Sequence, residues 1–177
     1  MQIGILGGGR VGSALAQSWQ NAGHNVVIST RETVAATAAY ADVLLLAVPC
    51  TAAADVLAAA GNIDGKVLID ATNNLSGGPD GAEIAAMARG AHTVKAFNTV
   101  FAQFFADPPA TPPTLVFAGD DQAAKDTVAG LIRDAGFDPV DAGDHARSAD
   151  LEAFARLVIG IAYTQGKGPF VYRFESP

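Results

Sequence analysis

Residues suited to holding a redox nucleotide stand at the very start of the chain, where Gly7-Gly8-Gly9-Arg10-Val11-Gly12 separates an apolar run from a helix-like stretch. The spacing is that of a dinucleotide fingerprint. Gly7 allows a tight turn out of a strand, Gly9 lets backbone approach a pyrophosphate, and Gly12 lets the helix pack close to that strand. Arg10 and Val11 open the helix, whose N-terminus offers free N–H groups and partial positive charge to phosphates. About 20 positions further on, where such folds meet the adenosine ribose, the chain reads Ser29-Thr30-Arg31. Two hydroxyls and a guanidinium offer donors and charge to a 2′-phosphate, and Arg31 can stack on adenine, so the expected cofactor is NADP(H). The competing reading leaves Arg31 in solvent and turns Glu32 back to the ribose.

No general acid stands out beside these groups. His24 and His92 fall at strand starts, the wrong edge of a sheet for chemistry, and Lys95 falls inside a strand, so each is expected to be structural. Arg10, Arg31 and Lys95 are the cations expected to serve an anionic cofactor in an acidic chain. Cys50 follows Pro49 and is either near a nicotinamide or a buried inert thiol. A single cysteine excludes an internal disulfide, and the three histidines lack ligand-like spacing, so no metal site is expected.

These residues need a scaffold, and the hydrophobic periodicity supplies one. Residues 2–6 read as a strand, Val11, Leu15, Ala16 and Trp19 form one helical stripe ended by Gly23, and residues 24–28 resume as a strand. Asp42 to Val48 and Lys66 to Asp70 are apolar strands flanking an alanine-rich helix at about 51–60; a helix near 80–89 precedes a strand at 92–97. Such alternation predicts a doubly wound parallel sheet. Prolines at 108, 109, 112 and 113 make 106–114 a linker. Beyond it lie a strand at 115–118, a helix from an Asp120 N-cap to Ala135, a strand at 137–140, a last helix at about 148–164, and a strand-like run at 170–174. The apolar stripe of that last helix fits the core better than a homodimer face, although a homodimer is also compatible.

The 177 residues, 50% hydrophobic and only 16% charged, fit one domain over 1–177, with a dinucleotide-binding core at 1–105 and a C-terminal extension at 114–177. A net charge of −7 argues against nucleic acid as a partner. No apolar run reaches ~18 residues and no signal-like segment precedes the first strand, so neither membrane insertion nor secretion is expected; a cytoplasmic location is.

The stretches GILGGGRVGSALA (4–16), VVISTR (26–31), ADVLLLAVP (41–49), KVLIDATNNL (66–75), VKAFNTV (94–100) and 117–143 together resemble the NADP-dependent oxidoreductases that handle the deazaflavin coenzyme F-420, particularly their bacterial branch of dinucleotide-binding reductases. The resemblance implies pyrophosphate binding at Gly9–Gly12 and 2′-phosphate binding at Ser29–Arg31. It also implies that Val48 and Pro49 pass beside the nicotinamide, with Asn73, Asn98 and the glycines of 166–168 around the redox centre. Members of that family place a helix and an outer strand between the ribose-binding strand and the VLLLAVP strand, whereas here only residues 32–41 intervene. The expected fold is therefore α/β: a Rossmann-type doubly wound parallel sheet lacking one outer βα unit, with a small C-terminal βαβ plus helix extension.

Hydride exchange between nicotinamide and a second conjugated ring needs close stacking more than a proton donor. The absence of a convincing acid therefore points to F-420, or FMN or FAD, as the small-molecule redox acceptor. A small imine or carbonyl reductase and a non-catalytic NADP(H)-binding module are the alternatives.

Overall fold

The structure is a computed structural model that describes residues 1–75 and 77–175. Seven strands form a single sheet: β1 (Gln2–Leu6), β2 (Asn25–Ile28), β3 (Val43–Leu46), β4 (Val67–Asp70), β5 (His92–Lys95), β6 (Thr114–Gly119) and β7 (Asp138–Asp141), in the order β2-β1-β3-β4-β5-β6-β7. The first five are parallel, with Ile3 beside Val26 on one side and beside Val43 on the other.

Helices cover both faces, as buried parallel strands require. On one face, α1 (Arg10–Asn21), α5 (Gln103–Ala106) and α6 (Gln122–Asp134) enclose a core holding Ile3, Ile5, Leu15, Trp19 and Phe97. The Trp19 indole N–H donates to the Leu131 carbonyl at 2.9 Å, and its ring meets Phe97 edge-on at 5.5 Å. On the other face, α2 (Val34–Tyr40), α3 (Ala53–Ala60) and α4 (Gly81–Met87) cover Leu6, Leu44, Leu46 and Leu68. The last helix, α7 (Ser148–Ile159), runs on into a π-helical turn over Gly160–Thr164.

As expected, β3 pairs directly with β1, and no outer strand flanks β2, which forms the edge of the sheet. The short link after Arg31 does contain a helix, α2, which crosses back over β1. Its close approach is permitted by Gly4, where a Cβ would lie 2.9 Å from that of Ala41.

Several local expectations are corrected. The sheet is not wholly parallel: β6 runs antiparallel to β5, with Val94 opposite Gly119, and β7 follows β6. The connection from β5 holds only the four-residue α5 and a proline-rich stretch, too little helix to carry the chain back to the far end of the sheet. The cap of α6 is Asp121, whose side chain accepts from the Ala124 amide at 2.8 Å, and not Asp120, whose carboxylate instead accepts from the His145 amide at 2.8 Å. The run 170–174 is not a strand: among the described residues its one backbone–backbone bond to β6 is from the Thr114 N–H to the Tyr172 carbonyl, joined by the Phe174 N–H donating to the Thr114 hydroxyl. Among the described residues, no helix is long and apolar enough to cross a membrane.

Candidate active site

The glycine loop joins β1 to α1 at the carboxyl end of the sheet. Gly7 has φ +123°, and a Cβ there would collide with the Ala47 carbonyl and the Val48 side chain. Gly12 lies so close to the Gly7 carbonyl that any side chain would overlap it. Gly9 differs: it is the N-cap of α1, it makes no side-chain cap, and nothing lies within 4 Å of where its Cβ would be. A twelve-residue helix thus starts without a side-chain cap beside open space at Gly9, the kind of terminus that suits a pyrophosphate.

At the neighbouring end of β2, the Ser29 amide donates to Ile5 at 2.8 Å and continues the ladder, while Thr30, Arg31 and Glu32 stand in solvent. Arg31 has no ion-pair partner among the described residues. The Thr30 hydroxyl donates to Glu32 Oε2 at 2.7 Å. That bond, with a bond from the Glu32 backbone and the nearby Arg31 charge, holds the Glu32 carboxyl below its ordinary range.

On the opposite side of the loop, α1, the ends of β4 and β5, and α7 enclose a cleft of about 660 Å³. Its walls include Arg10, Val11, Asn73, Asn98, Phe101 and Tyr163. The two asparagines grip each other: Asn73 Nδ2 donates to the Asn98 carbonyl at 2.8 Å and Asn98 Nδ2 donates to Asn73 Oδ1 at 3.0 Å. Asn98 Nδ2 also reaches the Leu151 carbonyl at 3.2 Å, whereas its buried Oδ1 has no partner. The preceding residue, Phe97, is fully buried with φ +64°, a left-handed conformation that is unfavourable for a bulky side chain. Edge-on contacts with Trp19 and Phe105 hold it there and thereby fix where Asn98 emerges.

The structure brings Arg10, Val11, Asn73 and Asn98 to one cleft, with Gly7, Gly9 and Gly12 at its nucleotide side. Val48 packs beside Gly7, and neither Val48, Pro49 nor the glycines at 166 and 168 line the cleft. Ser29, Thr30 and Arg31 lie apart from that cleft, directly after β2. Cys50 is buried, with its Sγ 3.9 Å from the Gly77 carbonyl, and is not part of the cleft wall.

Lys95 cannot serve an anionic cofactor, which corrects that expectation. Its ammonium is wholly buried and donates to Asp70 Oδ2 at 2.9 Å and to Glu152 Oε1 at 2.7 Å. This ionic triad ties β4 and β5 to α7, whose Ala155, Val158 and Ile159 form a cleft wall. Tyr163, on the π-helical turn, is the phenol that sequence reasoning missed. Its position at the exposed end of a helix gave no signal; only the fold of α7 across the strand ends brings it to the cleft. No Asp, Glu, His, Lys or Cys lines that cavity.

Residues 2–39 and 30–74 match the family described as NADP oxidoreductase, coenzyme F-420-dependent. This segment holds the glycine loop, the β2 end and the β4 end. Over that segment the chain is similar to the coenzyme F-420-dependent NADP oxidoreductases. The family model and the fold are those of NADP-dependent oxidoreductases. The whole chain is also similar to the crystal structure of a proposed F-420-dependent NADP reductase from an Arthrobacter species, with a TM-score of 0.89 and 27% identity over 99% of this chain and 100% of that one. A Sinorhizobium meliloti protein superposes with a TM-score of 0.70 and 28% identity over 84% of this chain and 87% of that one. An imine reductase from Aspergillus terreus, crystallised with NADPH4, shares the fold at a TM-score of 0.71 and 21% identity; the match covers 93% of this chain and 63% of the longer enzyme.

Proposed function

We propose that this protein is an NADPH-dependent reductase of a second ring cofactor, with coenzyme F-420 as first choice and FMN or FAD next. The observation that carries the proposal is the cleft beside the nucleotide loop. Its volume of about 660 Å³ suits a ring system, its walls are largely apolar with Phe101 and Tyr163 as stacking surfaces, and no carboxylate, imidazole or ammonium faces it. NADPH would supply the hydride, and the acceptor ring would hold the incoming electrons.

The chain's own residues then bind and orient. Gly9 and the first amides of α1 receive the pyrophosphate, and Ser29, Thr30 and Arg31 receive the 2′-phosphate. Asn73 and Asn98 hold each other by paired amide bonds at the strand ends where the nicotinamide side must lie. The α7 wall excludes water from the reacting faces. Arg10 at the cleft offers a cation to an anionic acceptor tail.

A second reading has an observation of its own. Tyr163 could protonate a substrate nitrogen or oxygen, as reduction of a small imine or carbonyl compound would require. Mixing the protein with NADPH and following its oxidation against F-420, FMN, FAD and a panel of cyclic imines separates the readings. Turnover with a ring acceptor that survives Tyr163→Phe supports the first, and imine turnover abolished by that change supports the second. NADPH binding without oxidation by any acceptor would leave a nucleotide-binding module and overturn both.

A further inference from the structure

The end of β2 carries two opposite preferences side by side. Arg31 is exposed and makes no ion pair among the described residues, which suits a 2′-phosphate, while Glu32, in the exposed turn four residues past the end of β2, offers a carboxylate that can accept from a ribose 2′-OH. Glu32 is not idle. Its Oε2 accepts a hydrogen bond from the Thr30 hydroxyl at 2.7 Å, and the Thr30 hydroxyl and amide both lie within hydrogen-bond distance of Thr33 Oγ1, at 3.2 and 2.8 Å. One of the two hydroxyls that could serve a phosphate is therefore already engaged by a carboxylate.

We propose that Glu32 is a specificity-determining residue that lets the site accept NADH as well as NADPH, with Arg31 and Glu32 each recognising one form of the adenosine ribose. The inference rests on the NADP-type reading above. A 2′-hydroxyl can donate to the free Glu32 oxygen while the Thr30 bond persists. A 2′-phosphate must displace the carboxylate from Thr30 and hold it away against like-charge repulsion, and Arg31 offsets that cost. Because β2 is the sheet edge, no further strand confines Glu32 or forms a second wall to enforce one choice.

Calorimetric titration of NADPH and NADH into the wild-type protein and Glu32→Gln tests this. The wild type is expected to bind both within about tenfold of each other, the scale of one charge-assisted contact exchanged for another. Glu32→Gln should raise NADPH affinity by about threefold or more and lower NADH affinity by a similar factor. Glu32 is exposed, so the melting temperature should not move. An unchanged NADPH-to-NADH ratio in the variant overturns the role of Glu32 while leaving the NADP reading intact, as does a wild type that binds NADPH more than a hundredfold tighter. Failure of the wild type to bind either nucleotide overturns both.

Discussion

Arg31 and Asn98 mark the two ends of the proposed nucleotide track, and they differ in how firmly the fold holds them. Arg31 projects from a sheet edge and makes no ion pair among the described residues, so replacing it removes a ligand contact and little else. Arg31→Ala is expected to weaken NADPH binding by about tenfold, the low end for a charge-assisted bond, with NADH changed far less and the melting temperature unmoved. Equal loss for both nucleotides in a titration would contradict a 2′-phosphate role. Asn98 is fixed by three hydrogen bonds and by the strained Phe97 before it, so its side chain is oriented before any ligand arrives. Such preorganisation spares a ligand the cost of ordering the side chain.

At the scale of elements, β1, the glycine loop and α1 form one unit in which neighbouring glycines do different work. Gly12→Ala forces a methyl group against the Gly7 carbonyl, so α1 must move off β1. A loss of about 1–3 kcal/mol in urea unfolding is expected, together with lost nucleotide binding. Gly9→Ala places its methyl in open space at an extended backbone, so stability should stay within about 0.5 kcal/mol while nucleotide affinity falls, because the methyl occupies the phosphate cradle. α7 is held differently, by Glu152 on the buried Lys95. Glu152→Ala leaves Lys95 paired with Asp70 but removes a buried charge-assisted bond and the tie to α7, so it should cost about 1.5–3 kcal/mol and loosen the cleft wall; an unfolding midpoint close to wild type would show that α7 is anchored by its apolar contacts alone.

For the molecule as a whole, acid stability should follow His145, which sits where α7 meets α4 and the loop after β6, beside a smaller cavity bordered by Asp80 and Asp120. Burial lowers its affinity for a proton, opposed by the charges of Asp120, Asp70 and Asp144 and aided by Lys95. The fold therefore holds the neutral ring. Its contribution is fully present above the ordinary histidine value of 6.5 and is lost as pH falls from there through the lowered folded value, because the unfolded chain takes up the proton first. Urea midpoints measured across this range should drop for the wild type and drop less for His145→Gln; identical slopes would exclude His145 as the source.

Much of this was legible in the chain. The glycine spacing, the apolar runs that became β1, β3, β4 and β5, and the stripe that buried Leu15, Ala16 and Trp19 are local patterns with the period of their elements, and a local pattern can be read without knowing what packs on it. The short link after Arg31 likewise announced that an outer strand was missing. The direction of β6, the Asp70–Lys95–Glu152 triad and the arrival of Tyr163 at the cleft had no local signature. They depend on where the chain after β5 turns and on how α7 lies across the strand ends, joining residues as much as 82 positions apart in the triad (152 − 70). Sequence alone therefore determined the tight glycine turn at residues 7–12, since that turn is built from contiguous backbone. Only the tertiary structure decided what stands across from it, because a cleft is made by surfaces from distant segments whose meeting is fixed by packing.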